Sequence, residues 1–483
     1  EAPAGASATL EMAGQMETVS GFAAGESHLL RWMPMRTGIW RYTLRAGDWC
    51  ETGELECLPA KEGNHGPVQA RDMAFVYADG TPFQPFGTTC YAWNHQPEEV
   101  QRKTLETLKL TPFNKLRMCV FPKHMIYSEN EPELFPFRRR EDESWDVSQP
   151  VEAFWHRLDQ QILALDVLGI EADLMFHPYD RWGFATMNQA DSLAYLNYCV
   201  RRLGAFKNVW WSLANEFDLL LSKPEEDWEA FAARLMQDDA KHHLRSIHHC
   251  CAPYPPRSWM THVSTQTSTP RKALAMRWQY QLPVIVDEFG YEGDIEFNWG
   301  NLTAREFVHR AWTAVCSGGW PTHGETLLNE NEHLWWAKGG ELQGEAPARI
   351  RFLKELLAEL PGTPAPLIQP LAYDVNGTKM DEANVSPFVA AMMRYSEADR
   401  IAYMLEITPT AISGDGWQLH YMGRGQSRRC ILQLPEEERW TGWRIDSWRM
   451  EKTLIQGGLH GNVRLELGGE GMAVLLMKEE ETT

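Results

Sequence analysis

Residues 209–214 read Val-Trp-Trp-Ser-Leu-Ala, a strand-forming run with apolar side chains at odd and even positions alike. Successive side chains of a strand point to opposite faces, so such a run is stable only where both faces are covered. A parallel sheet wrapped by helices supplies that setting, whereas a one-sided hairpin sheet would give alternation. The run stops in Asn215-Glu216, polar residues that a buried strand does not carry without a reason. Residues 284–288, Val-Ile-Val-Asp-Glu, repeat the form and lead into Phe289-Gly290. In (β/α) barrels the chemistry sits at the C-terminal ends of the strands. The plain alternative is that each Glu caps a following helix. That both strands end the same way weighs against it.

The surrounding sequence fits this demand. From about residue 70 to 360 the chain alternates strand and helix. A small hairpin is expected around Asp79-Gly80. Strands are expected at Pro85–Trp93, Phe113–Phe121, Ile170–Phe176, Val209–Ala214, His248–Ala252, His262–Gln266, Val284–Glu288 and Gly319–Thr326. Helices are expected at Pro97–Lys109, Gln149–Leu168, Ala190–Leu203, Pro224–Ile247, Arg271–Tyr280, Thr303–Cys316 and Pro347–Leu360. Pro opens several of the helices, and Gly169 and Gly204 close two of them. Eight strands alternating with helices predict one (β/α)8 TIM barrel over residues 70–360, of class α/β. The insertion 122–146, rich in Pro and charge, and the loop 324–345 would wall its mouth. They favour a closed pocket and attack at chain ends.

Residues 1–69 read as β, with strands expected at Leu29–Pro34, Gly38–Leu44 and Glu54–Leu58, too few for a large core. A small or truncated β-sandwich is expected there, joined through the turn-rich Gly63-Asn64-His65-Gly66-Pro67. Pro361-Gly362-Thr363-Pro364-Ala365-Pro366 marks the other boundary. Beyond it, Val389–Tyr395, Arg400–Glu406, Trp417–Tyr421, Trp440–Asp446 and Met472–Met477 predict a C-terminal β-sandwich over residues 361–483.

The net charge of -20 argues against nucleic acid and anionic membranes as partners. No apolar run is long enough to span a bilayer. The 9 cysteines lack paired spacing and several fall inside expected strands, so they read as buried thiols of a reducing compartment. With no secretory leader pattern, a cytoplasmic location is expected, although the chain starts at Glu1 rather than Met. Association into a homo-oligomer stays open. His242-His243 and His248-His249-Cys250-Cys251 fit no zinc spacing and read as helix-surface and strand residues.

Two carboxylates reaching inward from facing strands of a barrel could work as a glycosidase pair. The 21 tryptophans allow sugar stacking, though many must be core. For Trp93, His95 and His124, substrate contact and simple packing remain equal readings. Glu325 reads as a ligand for a sugar hydroxyl or as half of a loop salt bridge, and Asp287 as structural.

Asn215-Glu216 at strand four and Glu288 at strand seven resemble the clan A superfamily of retaining glycosidases. The resemblance implies that Glu216 is the acid/base, Glu288 the nucleophile and Asn215 a ligand of the sugar 2-hydroxyl. It also implies supporting or substrate-binding roles for Arg117, His177 and Trp320. A narrower set covers nearly the whole chain: Asn64-His65-Gly66-Pro67, residues 86–93, residues 286–293, Thr322-His323-Gly324-Glu325-Thr326 and residues 334–340. It is similar to bacterial proteins with a DUF5060 sandwich, an apiosidase-like DUF4038 barrel and a DUF5605 domain. It brings His323 and Glu325 into the candidate substrate-binding set. A retaining glycoside hydrolase acting on carbohydrate, without metal or organic cofactor, is therefore expected. A non-catalytic sugar-binding barrel and a transglycosylase or lyase are the rivals.

Overall fold

The computed structural model describes residues 3–330, 333–368, 387–397, 399–400, 403 and 410–480. The architecture is a (β/α)8 barrel with additional antiparallel sheets towards both termini. The chain forms two compact units, Glu1–Gln266 with Leu328–Leu342, and Thr267–Leu327 with Gln343–Thr483.

In the first unit the barrel strands are β1 (Gly87–Thr89), β2 (Lys115–Cys119), β3 (Glu171–His177), β4 (Val209–Ala214), β5 (Arg245–Ser246) and β6 (Val263–Gln266). Their helices are α1 (Glu98–Lys109), α2 (Glu152–Val167), α3 (Gln189–Leu203) and α4 (Glu225–Asp238). The strands β1 to β4 pair in parallel and in register, so that Thr89, Arg117, Asp173 and Trp210 stand at one level. Every residue of β2, β3 and β4 is buried, as the two-sided apolar pattern requires. The Asn188 side chain accepts the Asp191 N–H and so caps α3. The insertion folds into a hairpin of Phe137–Arg139 with Trp145–Pro150.

Two sequence expectations fail here for one reason. The fourth helix stops at Asp238 rather than Ile247, and β5 is Arg245–Ser246 rather than His248–Ala252. The Asp239 carboxylate accepts the backbone N–H groups of Lys241 and His243, at 3.2 and 2.8 Å. It also takes Trp211 Nε1–H at 3.0 Å. With His242 at φ 56° the chain turns out of the helix and enters the sheet early.

The N-terminal strands Ser7–Met12, Gln15–Ser20, Gly38–Ala46 and Trp49–Cys57 make one antiparallel sheet around Ala8, Leu10 and Trp40. The expected strand Leu29–Pro34 is absent, since the short strand Ser27–Leu29 ends where it should begin. Arg31 instead turns to the barrel helices, giving two bonds to Asp159, at 3.0 and 2.6 Å, and one to the Arg202 carbonyl. Arg202 donates to the same Asp159 and, by two bonds, to Glu152.

The second unit holds β7 (Val284–Glu288), β8 (Gly319–His323), α5 (Lys272–Tyr280), α6 (Ala304–Cys316, capped by Thr303) and α7 (Ala346–Ala358). The expected strand Gly319–Thr326 is divided at Gly324. Its second part, Glu325–Thr326, pairs in parallel with Glu292–Gly293. A Cβ at Gly324 would collide with the Tyr291 ring, so the break needs glycine.

The C-terminal sandwich sets a six-stranded sheet beside the pair Arg429–Gln433 and Asn462–Glu466. Cys430, Leu432, Trp440, Val463 and Leu476 lie in the core between them. Residues 389–395 are no strand: Pro387–Met392 is a helix, favoured by proline at its start and by Ala390-Ala391-Met392. The expected strand Arg400–Glu406 lies mostly outside the described residues.

Arg31 and Arg202 share the Asp159 carboxylate, and Glu152 holds Arg202 besides. Asp159→Ala is expected to lower stability by about 3–5 kcal/mol, because two cations then face each other without it. Arg31→Ala, which leaves Asp159 with Arg202, is expected to cost clearly less. Urea unfolding of the three proteins checks the order.

Candidate active site

The β4 run ends at Ala214, and its pairing continues past the strand through the loop. Asn215 N–H donates to the His177 carbonyl at 3.2 Å, and Phe217 N–H to the His248 carbonyl at 2.9 Å. Between them Glu216 takes the left-handed conformation, φ 55° and ψ 58°. For a residue with a Cβ this costs roughly 1–2 kcal/mol, so the surroundings must hold it. Asn215 Nδ2–H donates to Glu216 Oε2 at 2.9 Å. Lys123 Nζ lies 3.6 Å from the same oxygen. Glu216 is only 9% exposed.

Behind this carboxylate stands a line of buried charge. Arg117 Nη2–H reaches Asn215 Oδ1 at 3.4 Å, and its Nη1–H reaches the Tyr91 hydroxyl at 3.4 Å. Its Nε lies 4.0 Å from Asp173 Oδ2, which also receives Lys115 Nζ at 2.9 Å. All of these side chains are buried, where an unpaired charge would be prohibitive.

His177 ends β3. Its Nδ1–H donates to the Leu213 carbonyl at 3.0 Å, which leaves Nε2 as the acceptor nitrogen. Among the described residues Nε2 has no hydrogen-bond partner. Burial, with the Lys223 charge second, pushes its pKa down to about 3, so the ring is neutral. The Lys223 ammonium is itself pushed down to about 8 by burial. Trp93 is fully buried, with Nε1–H directed to Met118 Sδ at 3.4 Å. His95 is also buried and stacks on Phe154. His124 is half-buried and meets the Trp182 ring edge-on at 6.2 Å.

In the second unit Glu288 is the last residue of β7 and is 8% exposed. Its carbonyl accepts Thr267 N–H at 2.8 Å. Asp287 accepts the Thr322 hydroxyl at 2.8 Å and so ties β7 to β8. Trp320 lies in β8 and is largely buried. Burial keeps His323 neutral, with its pKa lowered to about 3.

Glu325 does not form the loop salt bridge that was one reading of it. Its oxygens accept the backbone N–H groups of Gln343 and Gly344, at 2.7 and 2.8 Å. Glu292 accepts those of Glu345 and Ala346 in the same way, at 2.8 and 2.9 Å. One ligand atom from each of Glu292, His323 and Glu325 falls within 4.8 Å of the others, the spacing of a cation site. The four N–H dipoles already face these carboxylates, and a Cβ at Gly344 would collide with both. The arrangement as it stands is a clamp on the segment 343–346.

Lys123, Tyr91, Tyr179 and Glu292 were not singled out by the sequence reading. Lys123 did carry a signal, a charge two residues beyond the apolar end of β2, at Phe121-Pro122-Lys123.

Residues 69–360 match the family described as apiosidase-like, catalytic domain. A candidate glycoside hydrolase from Bacteroides vulgatus ATCC 8482 is similar in structure, with TM-score 0.84 and 29% identity over 98% of this chain and 95% of that one. A glycoside hydrolase family 5 protein from the same organism has TM-score 0.62 at 15% identity, over 86% of this chain and 94% of that one. The second is a likeness of fold. No curated protein matches this chain.

Burial, and then the neighbouring Glu292, lift the Glu325 carboxyl to about 7. Its folded pKa therefore exceeds the unfolded value. The stability it adds is full below about pH 4.5 and is lost as the pH rises through about 7. The advantage of the wild type over Glu325→Gln, which cannot titrate, is expected to shrink between pH 5 and pH 8. Thermal melts of both proteins across that range check the sign.

Proposed function

We propose that this chain, which belongs to the apiosidase-like catalytic domain family, is a retaining glycoside hydrolase. Glu216 is its acid/base and Glu288 its nucleophile. One observation carries the reading. Glu216 stands two residues beyond a buried parallel strand in a strained left-handed conformation, held there by an amide and an ammonium. Strain of this kind persists where surroundings over-determine it, and it collects at functional sites. Glu288 supports the reading from its own strand, which it ends after the apolar run Val284-Ile285-Val286 and Asp287.

In the first step Glu288 attacks the anomeric carbon while Glu216 gives its proton to the departing glycosidic oxygen. In the second, Glu216 takes a proton from water as that water displaces Glu288. Asn215 is proposed to bind the sugar 2-hydroxyl, and Arg117, whose Nη2–H reaches Asn215 Oδ1, to fix that amide. The His177 ring offers a neutral acceptor nitrogen, and Trp320, His323 and His124 are proposed for the walls. Glu325 supports the wall through its bonds to Gln343 and Gly344, as Glu292 does through Glu345 and Ala346. The family's name makes apiosides the first substrates to try, within a wider panel of aryl glycosides.

Azide separates the two roles. Glu288→Ala is expected to lose turnover by at least about 10³-fold, and azide to restore a glycosyl azide of inverted configuration. Glu216→Ala is expected to keep its first step with a very good leaving group, to accumulate a covalent adduct on Glu288, and to yield a retained azide product. Retained product from Glu288→Ala would reverse the assignments. Equal losses of Glu216→Ala on good and poor leaving groups, with no adduct, would remove the double displacement. Glu288→Ala is expected to melt near the wild type, since function rather than packing sets that residue, whereas Glu216→Ala, which leaves the buried Lys123 ammonium without its carboxylate, is expected to melt lower.

A further inference from the structure

Lys123 lies just beyond β2 and is 2% exposed. A buried ammonium is costly unless its charge is answered. Its Nζ sits 4.2 Å from the centre of the Tyr91 ring and 4.1 Å from that of Tyr179. Two aromatic faces thus hold one cation, each adding electrostatic attraction and limiting its movement. Its ion pair is with Glu216 Oε2, at 3.6 Å. The four residues come from four successive strand ends: Tyr91 after β1, Lys123 after β2, Tyr179 after β3 and Glu216 after β4. Backbone bonds tie these ends together, with Cys119 N–H to the Tyr91 carbonyl at 2.8 Å and Val120 N–H to the Met175 carbonyl at 3.0 Å.

We infer that Lys123 is a positioning residue for Glu216, fixing Oε2 as the oxygen that never carries the transferred proton. The inference rests on the reading of Glu216 as the acid/base. Oε2 accepts the Asn215 amide at 2.9 Å and lies 3.6 Å from the Lys123 ammonium, and a positive charge so near favours negative charge on that oxygen over a proton. The exchangeable proton therefore resides on Oε1. When the glycosidic C–O bond breaks, its electron pair goes to the departing oxygen, and the Oε1 proton follows. Glu216 is left as a carboxylate with Lys123 as its counter-ion. In the second step Oε1 takes the proton of the attacking water. The water oxygen bonds to the anomeric carbon as the bond to the Glu288 carboxylate breaks, its electron pair returning to that carboxylate. Lys123 itself gains and loses no proton.

The test compares wild type, Lys123→Met, Lys123→Arg and Glu216→Ala on aryl glycosides of one sugar, with good and poor leaving groups. Lys123→Met is expected to lose about 10- to 100-fold in kcat/KM on poor leaving groups, part of a general acid's usual contribution. On a very good leaving group it is expected to stay within about twofold, because that first step barely needs a proton. Azide, which needs no base, is expected to speed its second step. Lys123→Arg is expected to recover most of the loss. Should Lys123→Met fail to fold, Tyr179→Leu, which removes one wall of the box, is expected to give the same selective loss in smaller measure. A loss that is equal for both leaving groups, or no loss at all, overturns the inference. If Glu216→Ala shows the selective loss and Lys123→Met does not, the inference fails alone. If Glu216→Ala shows none, the acid/base reading falls with it.

Discussion

The parallel register of β1 to β4 is the constraint from which the site in the first unit follows. Because the strands run parallel, their C-terminal ends come out on one side of the sheet, staggered by two residues from β1 to β2 and from β2 to β3 and level from β3 to β4. The residues that follow those ends, Tyr91, Lys123, Tyr179 and Glu216, are thereby brought together although they are far apart in sequence. Below them the same register sets Arg117 beside Asp173, so the layer supporting the mouth is ionic rather than apolar. A slip of one residue in any strand would turn its side chains to the other face and break both layers at once.

The electrostatics divide into two kinds of environment. Histidines near the strand ends, His177 and His323, are kept neutral by burial and can only accept or donate single hydrogen bonds. Carboxylates fall into those answered by cations, such as Asp159 and Asp173, and those answered by backbone N–H groups, such as Glu292 and Glu325. The second kind keeps a raised pKa because N–H dipoles only partly offset the loss of water. Charge is thus used in the interior chiefly to fix backbone and side-chain geometry.

The barrel was legible because its strands are buried on both faces and leave long, uniform apolar runs. Glu216 and Glu288 stood out as charges that end such runs. Where burial is one-sided or slight, the signal fades. Glu451–Leu459 is mostly exposed, and Ser7–Met12 turns into Gln15–Ser20 through Ala13-Gly14, without an Asn-Gly or Asp-Gly turn signal. The end of α4 was hidden because Asp239 reads as one more acid in Gln237-Asp238-Asp239. Only its bonds to Lys241 and His243 reveal it as the stop. Lys123 carries little signal because it falls in a segment whose Pro and charge resemble an ordinary loop.

The left-handed backbone at position 216 bears on how this molecule would respond to selection. Glycine adopts that conformation without the steric penalty that every residue with a Cβ meets. Glycine alone at 216 would relax the backbone but leave the buried Lys123 ammonium without its carboxylate, so selection for heat resistance would gain only by replacing both residues, discarding catalysis in the exchange. The same preference offers a use. An inert form carrying Glu216→Gly with Lys123→Met, its backbone suited to the turn and no charge left unanswered, would make a durable scaffold for capturing ligands without consuming them.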